Sequence, residues 1–270
     1  MPDTRLVEVC GIRTGEALAC VGAGGKTSLC WRLAGECRAA GRPTIFTTTT
    51  HILEPVLPTD MALMLSTAPQ PERIRSLLSS HDGLVLARTR LSDAPPDVTV
   101  SPVVPVRPVK LAGLPPAQVD RLIAALPSVT WLIEADGARG RGLKMPASHE
   151  PALPTRSSTV AVLGHLDTIG LPLDEASVHR AGLAAALLGA RFGDVVEAGH
   201  VVRLMTDPNA GLKGIPQGAR IVGLLTQRDA AQLHPQALHV AGGLLASGRY
   251  ERVVVAALQA AQPVLRVFPT

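Results

Sequence analysis

The stretch Val21-Gly22-Ala23-Gly24-Gly25-Lys26-Thr27-Ser28 decides the fold. It follows the apolar run Ala17-Leu18-Ala19-Cys20-Val21 and leads into Leu29-Cys30-Trp31-Arg32-Leu33-Ala34, which reads as helix. Strand, glycine loop, Lys-Thr and helix is the arrangement that cradles nucleotide phosphates. Glycines let backbone N–H groups converge on an anion, and the helix N-terminus adds the positive end of its dipole. Gly22, Ala23, Gly24, Gly25, Lys26, Thr27 and Ser28 are therefore the candidate nucleotide-binding residues. Lys26 is expected to reach the β/γ-phosphates and Thr27 to place its hydroxyl on Mg²⁺. The motif is a tightened one. The pattern G-x-x-x-x-G-K-[ST] puts glycine six residues before the lysine, and Cys20 stands there. A dinucleotide loop, G-x-G-x-x-G, begins with Gly22 and Gly24 but meets Thr27 at its last glycine, and Lys26 suits a triphosphate better.

Outward from this loop the chain alternates. Strands are expected at 17–21, 43–48, 84–88, 129–133, 159–163, 220–226 and 252–256. Helices are expected at 27–40, 71–80, 115–126, 177–190, 197–205 and 229–247. The Pro- and Val-rich region 94–116 reads as edge strands or an irregular loop. A strand–helix–strand unit at the start implies a parallel sheet. No linker, composition shift or repeat interrupts the alternation, so the expectation is one domain, 1–270. Its fold class is α/β: a mainly parallel sheet flanked by helices in a three-layer sandwich.

Composition narrows the function classes. A net charge of +4 is spread along the 270 residues and forms no basic run. Aromatics are confined to Trp31, Trp131, Tyr250 and three Phe, too few to stack single-stranded bases, so nucleic acid is not an expected partner. The longest apolar stretch, Ala181 to Ala190, falls short of the ~20 residues of a membrane span. Asp3 and Glu8 stand where a signal peptide is basic, so the expected address is the cytoplasm. Cys10, Cys20, Cys30 and Cys37 form no C-x-x-C pair, fit a reducing compartment, and read as small buried apolar residues. Arginine supplies generic positive charge here, 22 residues against four lysines. Lysine then marks places that need a compact ammonium: Lys26, and by the same logic Lys144, whereas Lys110 and Lys213 carry no such signal.

Four further segments carry chemistry. Trp131-Leu132-Ile133-Glu134-Ala135-Asp136-Gly137-Ala138 is an apolar strand ending in carboxylates, the partner a phosphate loop needs for Mg²⁺. Glu134 is the first candidate for the metal. Asp136 either shares it or orients an attacking water. Thr47-Thr48-Thr49-Thr50 ends the second strand, and its hydroxyls are offered to the γ-phosphate, the metal or the water, with Thr49 as the catalytic candidate. The alternative is a turn built on threonine hydroxyls. Thr226-Gln227-Arg228-Asp229 ends another strand where a nucleobase is read, with Thr226 and Asp229 as its candidates; equally, Asp229 caps the following helix. The proline-rich loop from Lys144 to Pro154 presents Lys144, His149 and Glu150 as exposed polar groups, the candidate site for an acceptor or a client. His179-Arg180 adds a polar pair at a helix start.

Taken in order, Gly22-Ala23-Gly24-Gly25-Lys26-Thr27, the threonine run, Glu134-Ala135-Asp136-Gly137-Ala138, Lys144 with His149-Glu150-Pro151 and Pro154, and His179-Arg180 resemble the YqeC family. That family is described as selenium-dependent hydroxylase accessory proteins. The resemblance implies a P-loop NTPase-like protein that uses ATP or GTP with Mg²⁺. It also implies a role in maturing a molybdenum hydroxylase, with that enzyme or its cofactor-assembly machinery as partner. The family's usual Asn-Lys/Gln-x-Asp stands here as Thr226-Gln227-Arg228-Asp229, which leaves the base open. Two other functions fit the same residues: a small-molecule kinase or ATP-dependent ligase, and a scaffold that binds nucleotide without hydrolysing it.

Overall fold

The computed structural model describes residues 4–91 and 109–269. In chain order the strands are β1 (Ala17–Gly22), β2 (Thr44–Thr48), β3 (His51–Leu53), β4 (Met61–Leu65), β5 (Gly83–Ala87), β6 (Thr89–Leu91) and β7 (Lys110–Ala112). They continue as β8 (Thr130–Glu134), β9 (Leu143–Lys144), β10 (Thr159–His165), β11 (Val178–His179), β12 (Arg220–Thr226), β13 (Arg252–Ala256) and β14 (Val264–Pro269). The helices are α1 (Leu6–Val9), α2 (Lys26–Ala39), α3 (Pro71–Leu78), α4 (Pro116–Ala125), α5 (Ala181–Leu188), α6 (Ala198–Thr206) and α7 (Ala237–Ala246).

Nine strands form one sheet in the order β14-β13-β12-β10-β1-β8-β2-β5-β4. Its pairings are parallel except the last, where β14 runs antiparallel to β13. The central strands read as unbroken apolar runs because both of their faces are covered. In β1, Ala17, Ala19 and Val21 enter one core and Leu18 and Cys20 the other. Ile74 of α3, Val119 and Leu122 of α4, Ala184 of α5, Val201 and Leu204 of α6 and Val240 and Leu244 of α7 fill the first core. Leu6 and Val7 of α1 and Leu29, Leu33 and Cys37 of α2 fill the second. Each fully buried Val, Leu or Ile side chain among them contributes about 1.5–3 kcal/mol. The result is the α/β three-layer sandwich that the alternation implied.

The strand order places the site. The chain leaves β1 for β2 on one side of the sheet and leaves β10 for β12 on the other. Between the carboxyl ends of those two neighbours lies a switch point, the crevice where open α/β sheets take ligands. Two small sheets flank it. β7 pairs antiparallel with β3 and β6, and β9 pairs parallel with β11, setting Lys144 opposite His179.

Three expectations need correction. The helix expected at 177–190 begins only at Ala181, because Val178-His179 is strand and Arg180 stands in the left-handed region, φ 60°. The helix expected at 229–247 begins at Ala237. Gln227 holds the intervening turn open: its Nε2 donates to the carbonyls of Asp229 (2.5 Å) and Gln232 (2.6 Å), and its Oε1 accepts from His234 N (2.9 Å). Within 94–116, Lys110–Ala112 is the middle strand of the small antiparallel sheet, and 92–108 lie outside the described residues.

Candidate functional site

The glycine loop leaves β1 at Gly22, whose φ is +90° and whose N–H donates to Asp136 Oδ2 at 3.0 Å. A Cβ at Gly22 would sit 2.3 Å from the Leu163 carbonyl oxygen of β10, so only glycine lets the loop pass over that strand end. At Gly24, φ +82°, a Cβ would approach the Cβ of His165 to 2.7 Å. The loop thus lies directly on the carboxyl end of β10. Gly25 caps α2 without a side-chain hydrogen bond, and the first turn carries no acid. The N–H groups of Lys26, Thr27 and Ser28 have no carbonyl acceptor earlier in the helix, which leaves the positive end of α2 available to an anion.

Beside the loop runs a chain of buried charge. Lys26 Nζ donates to the Gly22 carbonyl (2.5 Å) and lies 3.1 Å from Asp136 Oδ1. Lys144 Nζ lies 3.1 Å from Asp136 Oδ2 and donates to the Gly137 carbonyl (2.7 Å) and Glu150 Oε2 (3.0 Å). Arg180 closes the chain with a forked pair to Glu150, 2.7 and 3.2 Å. Lys26, Asp136 and Lys144 are each buried. Such groups persist away from water only because they answer one another. Burial resists ionisation of Glu150, but the hydrogen bonds from Arg180 and Lys144 prevail and hold its carboxyl at about 2.

Glu134, the last residue of β8, accepts from the Thr27 hydroxyl at 2.7 Å. Register explains the meeting: Glu134 pairs with Cys20 of β1, just before the loop. Burial pushes the Glu134 carboxyl up, and Lys26 and the Thr27 hydroxyl oppose that rise. A buried carboxylate beside a hydroxyl is a hard-oxygen pair that fits Mg²⁺, which takes one or two protein carboxylates and completes its shell with phosphate and water. Among the described residues no three His, Cys, Asp or Glu side chains gather as a self-sufficient metal site.

These groups open onto a cleft of about 1110 Å³ lined by Gly24, Gly25, Lys26, Thr27, Ser28, Glu134, Glu150, His179 and Arg180 among others. The YqeC protein family matches residues 18–182. That span is more than half of the 270 residues and runs from the glycine loop through both carboxylates to Arg180. The chain belongs to the YqeC family. It is similar to the uncharacterized protein YqeC of Escherichia coli (strain K12), 28% identical over 226 residues, 84% of this chain and 81% of that one. No solved structure gave a significant match.

In this YqeC-family chain the other candidate residues are distributed unevenly. Ala23 is buried, and its N–H donates to the Leu163 carbonyl. The threonine run is turned inward: Thr47 donates to Leu86 O, Thr48 to Glu134 O and Thr49 to Ala152 O (2.7 Å each for the first and last, 2.9 Å for the second). Thr50 is the member that lines the cleft. Lys144, read from the sequence as exposed, is buried, because β9 is clasped by β11 and its ammonium is drawn to two carboxylates. Of the same loop, His149 is exposed and Glu150 half-buried. Lys213 holds that loop from behind, donating to the carbonyls of Ala147 and Ser148. Thr226 donates to the Gly24 carbonyl at 2.6 Å and so ties β12 to the glycine loop. Asp229 is exposed, accepts from Ala231 N at 2.7 Å, and lies outside the cleft lining.

Sequence reasoning missed the cationic rim. The cleft is lined by six Lys and Arg residues against three Asp and Glu, among them Arg139, Arg141 and Arg228. The signal was present in Gly137-Ala138-Arg139-Gly140-Arg141-Gly142, directly after the acid pair, where arginines alternate with glycine. The structure runs this loop past the glycine loop: a Cβ at Gly24 would lie 3.2 Å from the Gly142 carbonyl.

Proposed function

We propose that this chain binds a nucleoside triphosphate together with Mg²⁺ at the glycine loop and cleaves or transfers its terminal phosphoryl group. The observation that carries the reading is the 2.7 Å bond between the Thr27 hydroxyl and the Glu134 carboxylate at the uncapped start of α2. It joins the two groups that would share the metal. The metal, when bound, neutralises charge on the phosphate oxygens. The protein's own part is positioning and electrostatics. The N–H groups of the loop and of the first turn of α2 receive phosphate oxygens. Lys26, whose ammonium is held by the Gly22 carbonyl and paired with Asp136, would turn from that carbonyl to the outer phosphates. Asp136, held by Gly22 N and Lys144, would orient the nucleophile in this reading.

The cleft continues past the loop to Glu150 and Arg180, which supports a second reading, a kinase or ligase with its acceptor bound there. The client implied by the family resemblance, a molybdenum hydroxylase or its cofactor-assembly machinery, belongs to the same proposal. Affinity and turnover with ATP and GTP, with and without Mg²⁺, test it. Binding that tightens with Mg²⁺ and loses that dependence in Thr27→Val is expected. No binding of either nucleotide at millimolar concentration overturns it. Slow hydrolysis raised by the client separates the accessory role from a kinase, which needs a metabolite. Binding without any turnover leaves the scaffold.

A further inference from the structure

His179 is nine-tenths buried, at 8% exposure, yet it lines the cleft. Among the described residues neither of its ring nitrogens has a hydrogen-bond partner. The ring nitrogens are not among the buried polar atoms left without a partner, so they reach the open cleft and are free to meet a ligand there. The surroundings of the ring say which. Arg180 follows it in the left-handed region, φ 60°, and Arg139 on the facing loop is also left-handed, φ 50°. Two non-glycine residues held there are strained, and the local structure must sustain them. Arg139 is exposed, lines the same cleft, and its guanidinium has no partner among the described residues. Burial lowers the His179 pKa, and Arg180, Lys144 and Arg139 lower it further against Glu150 alone, so the potential at the ring is positive. A neutral imidazole N–H and a free guanidinium in a positive field recognise an anion.

We infer that this end of the cleft is a second anion site, in which His179 and Arg139, backed by Arg180, take the phosphate or carboxylate group of a second substrate. The site deepens the nucleotide reading by naming the class of acceptor, and it rests on that reading only for what occupies the neighbouring loop. The volume allows both: about 1110 Å³ exceeds the roughly 300–1,000 Å³ of a pocket for one small ligand. The β9–β11 pair supplies the wall, with His179 opposite Lys144 and the Met145 N–H on the His179 carbonyl at 3.0 Å.

The test is titration calorimetry on the full chain saturated with a non-hydrolysable ATP analogue and Mg²⁺, using inorganic phosphate and succinate as probes. At least one probe should bind. His179→Gln and Arg139→Ala should each weaken it about tenfold or more, with analogue affinity moving less than about threefold. Phosphate alone binding marks a phosphate ester as the acceptor, and succinate binding marks a carboxylate. Failure of both probes to bind the saturated protein, or binding that neither variant alters, overturns the site. If the analogue itself does not bind, the nucleotide reading has failed instead, and phosphate is titrated into the free protein. Loss in His179→Gln and Arg139→Ala then supports the second site, and loss confined to Lys26→Met overturns it.

Discussion

The wall of the cleft at β8 and the wall at β12 both end in a polar motif at the carboxyl edge of a strand, yet they use it differently. At β8 the side chains answer one another: Lys26, Asp136, Lys144, Glu150 and Arg180 form one line of alternating charge. At β12 the side chains answer backbone. Thr226 holds Gly24, Gln227 holds the turn after it, and Asp229 holds Ala231. A line of paired buried charge is sensitive to any added charge, because each member is held by its neighbours. A set of side chain–backbone bonds is a brace. Under the proposed function the first wall would meet the ligand, while the second holds the geometry of the glycine loop and the turn after β12.

The comparison breaks most visibly at Asp136. Its carboxylate sits between two buried ammonium groups, and its Oδ1 meets Lys26 as an ion pair without a well-formed hydrogen bond. Asp136→Asn takes the ion-pair partner from buried Lys26 and leaves Lys144 with Glu150 alone, and such a loss costs about 3–5 kcal/mol. An unfolding free energy from denaturant titration that falls by less than a third of that would show the line to be dispensable to the fold. Lys144→Met removes the next link but leaves Asp136 with Lys26 and Glu150 with Arg180. The cost falls to about 1–3 kcal/mol, in the range of a lost hydrogen bond to charge. Equal losses in the two variants would mean that the charges act as a block and not as a chain.

Glu150 sharpens the same point through pH. Its folded pKa of about 2 lies below the ordinary 4.5 of a glutamate. The unfolded chain therefore binds its proton first as pH falls. The stabilisation is complete above about 4.5 and is lost progressively as pH falls through about 2. Glu150→Gln should flatten the acid limb of the stability curve between those values, measured by denaturation at stepped pH. A limb of unchanged slope would place the acid sensitivity elsewhere.

How much of this was legible in the chain follows from what each feature depends on. The glycine loop, the strand-end acids and the central strands depend on local pattern, and the sequence shows them. β4 and β14, the edges of the large sheet, were passed over because an edge strand is only half covered, and neither Met61–Leu65 nor Val264–Pro269 alternates cleanly. The burial of Lys144 was hidden for another reason. It depends on β9 meeting β11, two-residue strands more than thirty positions apart, and no periodicity announces a pair so short. Arg180 stood in view beside His179, but its role comes from the Glu150 fork, which only the fold assembles.

The smallest expected effect tests the quieter wall. Asp229 closes a strand-end T-Q-x-D, the pattern from which the sequence offers it as a reader of the nucleobase or a cap of the next helix. Its carboxylate is exposed, bonds the N–H two residues on, and lies outside the cleft lining. A bond of that kind at the surface contributes about 0.5–1 kcal/mol, so Asp229→Ala should shift stability by no more than that. ATP and GTP affinities should each move less than about threefold, because no buried acceptor is taken from the site. A base-selective loss, GTP falling tenfold and ATP holding, would put Asp229 on the ring and require the turn at 229–236 to close over the ligand. The brace would then be a moving part, and the two walls would differ in timing instead of in kind.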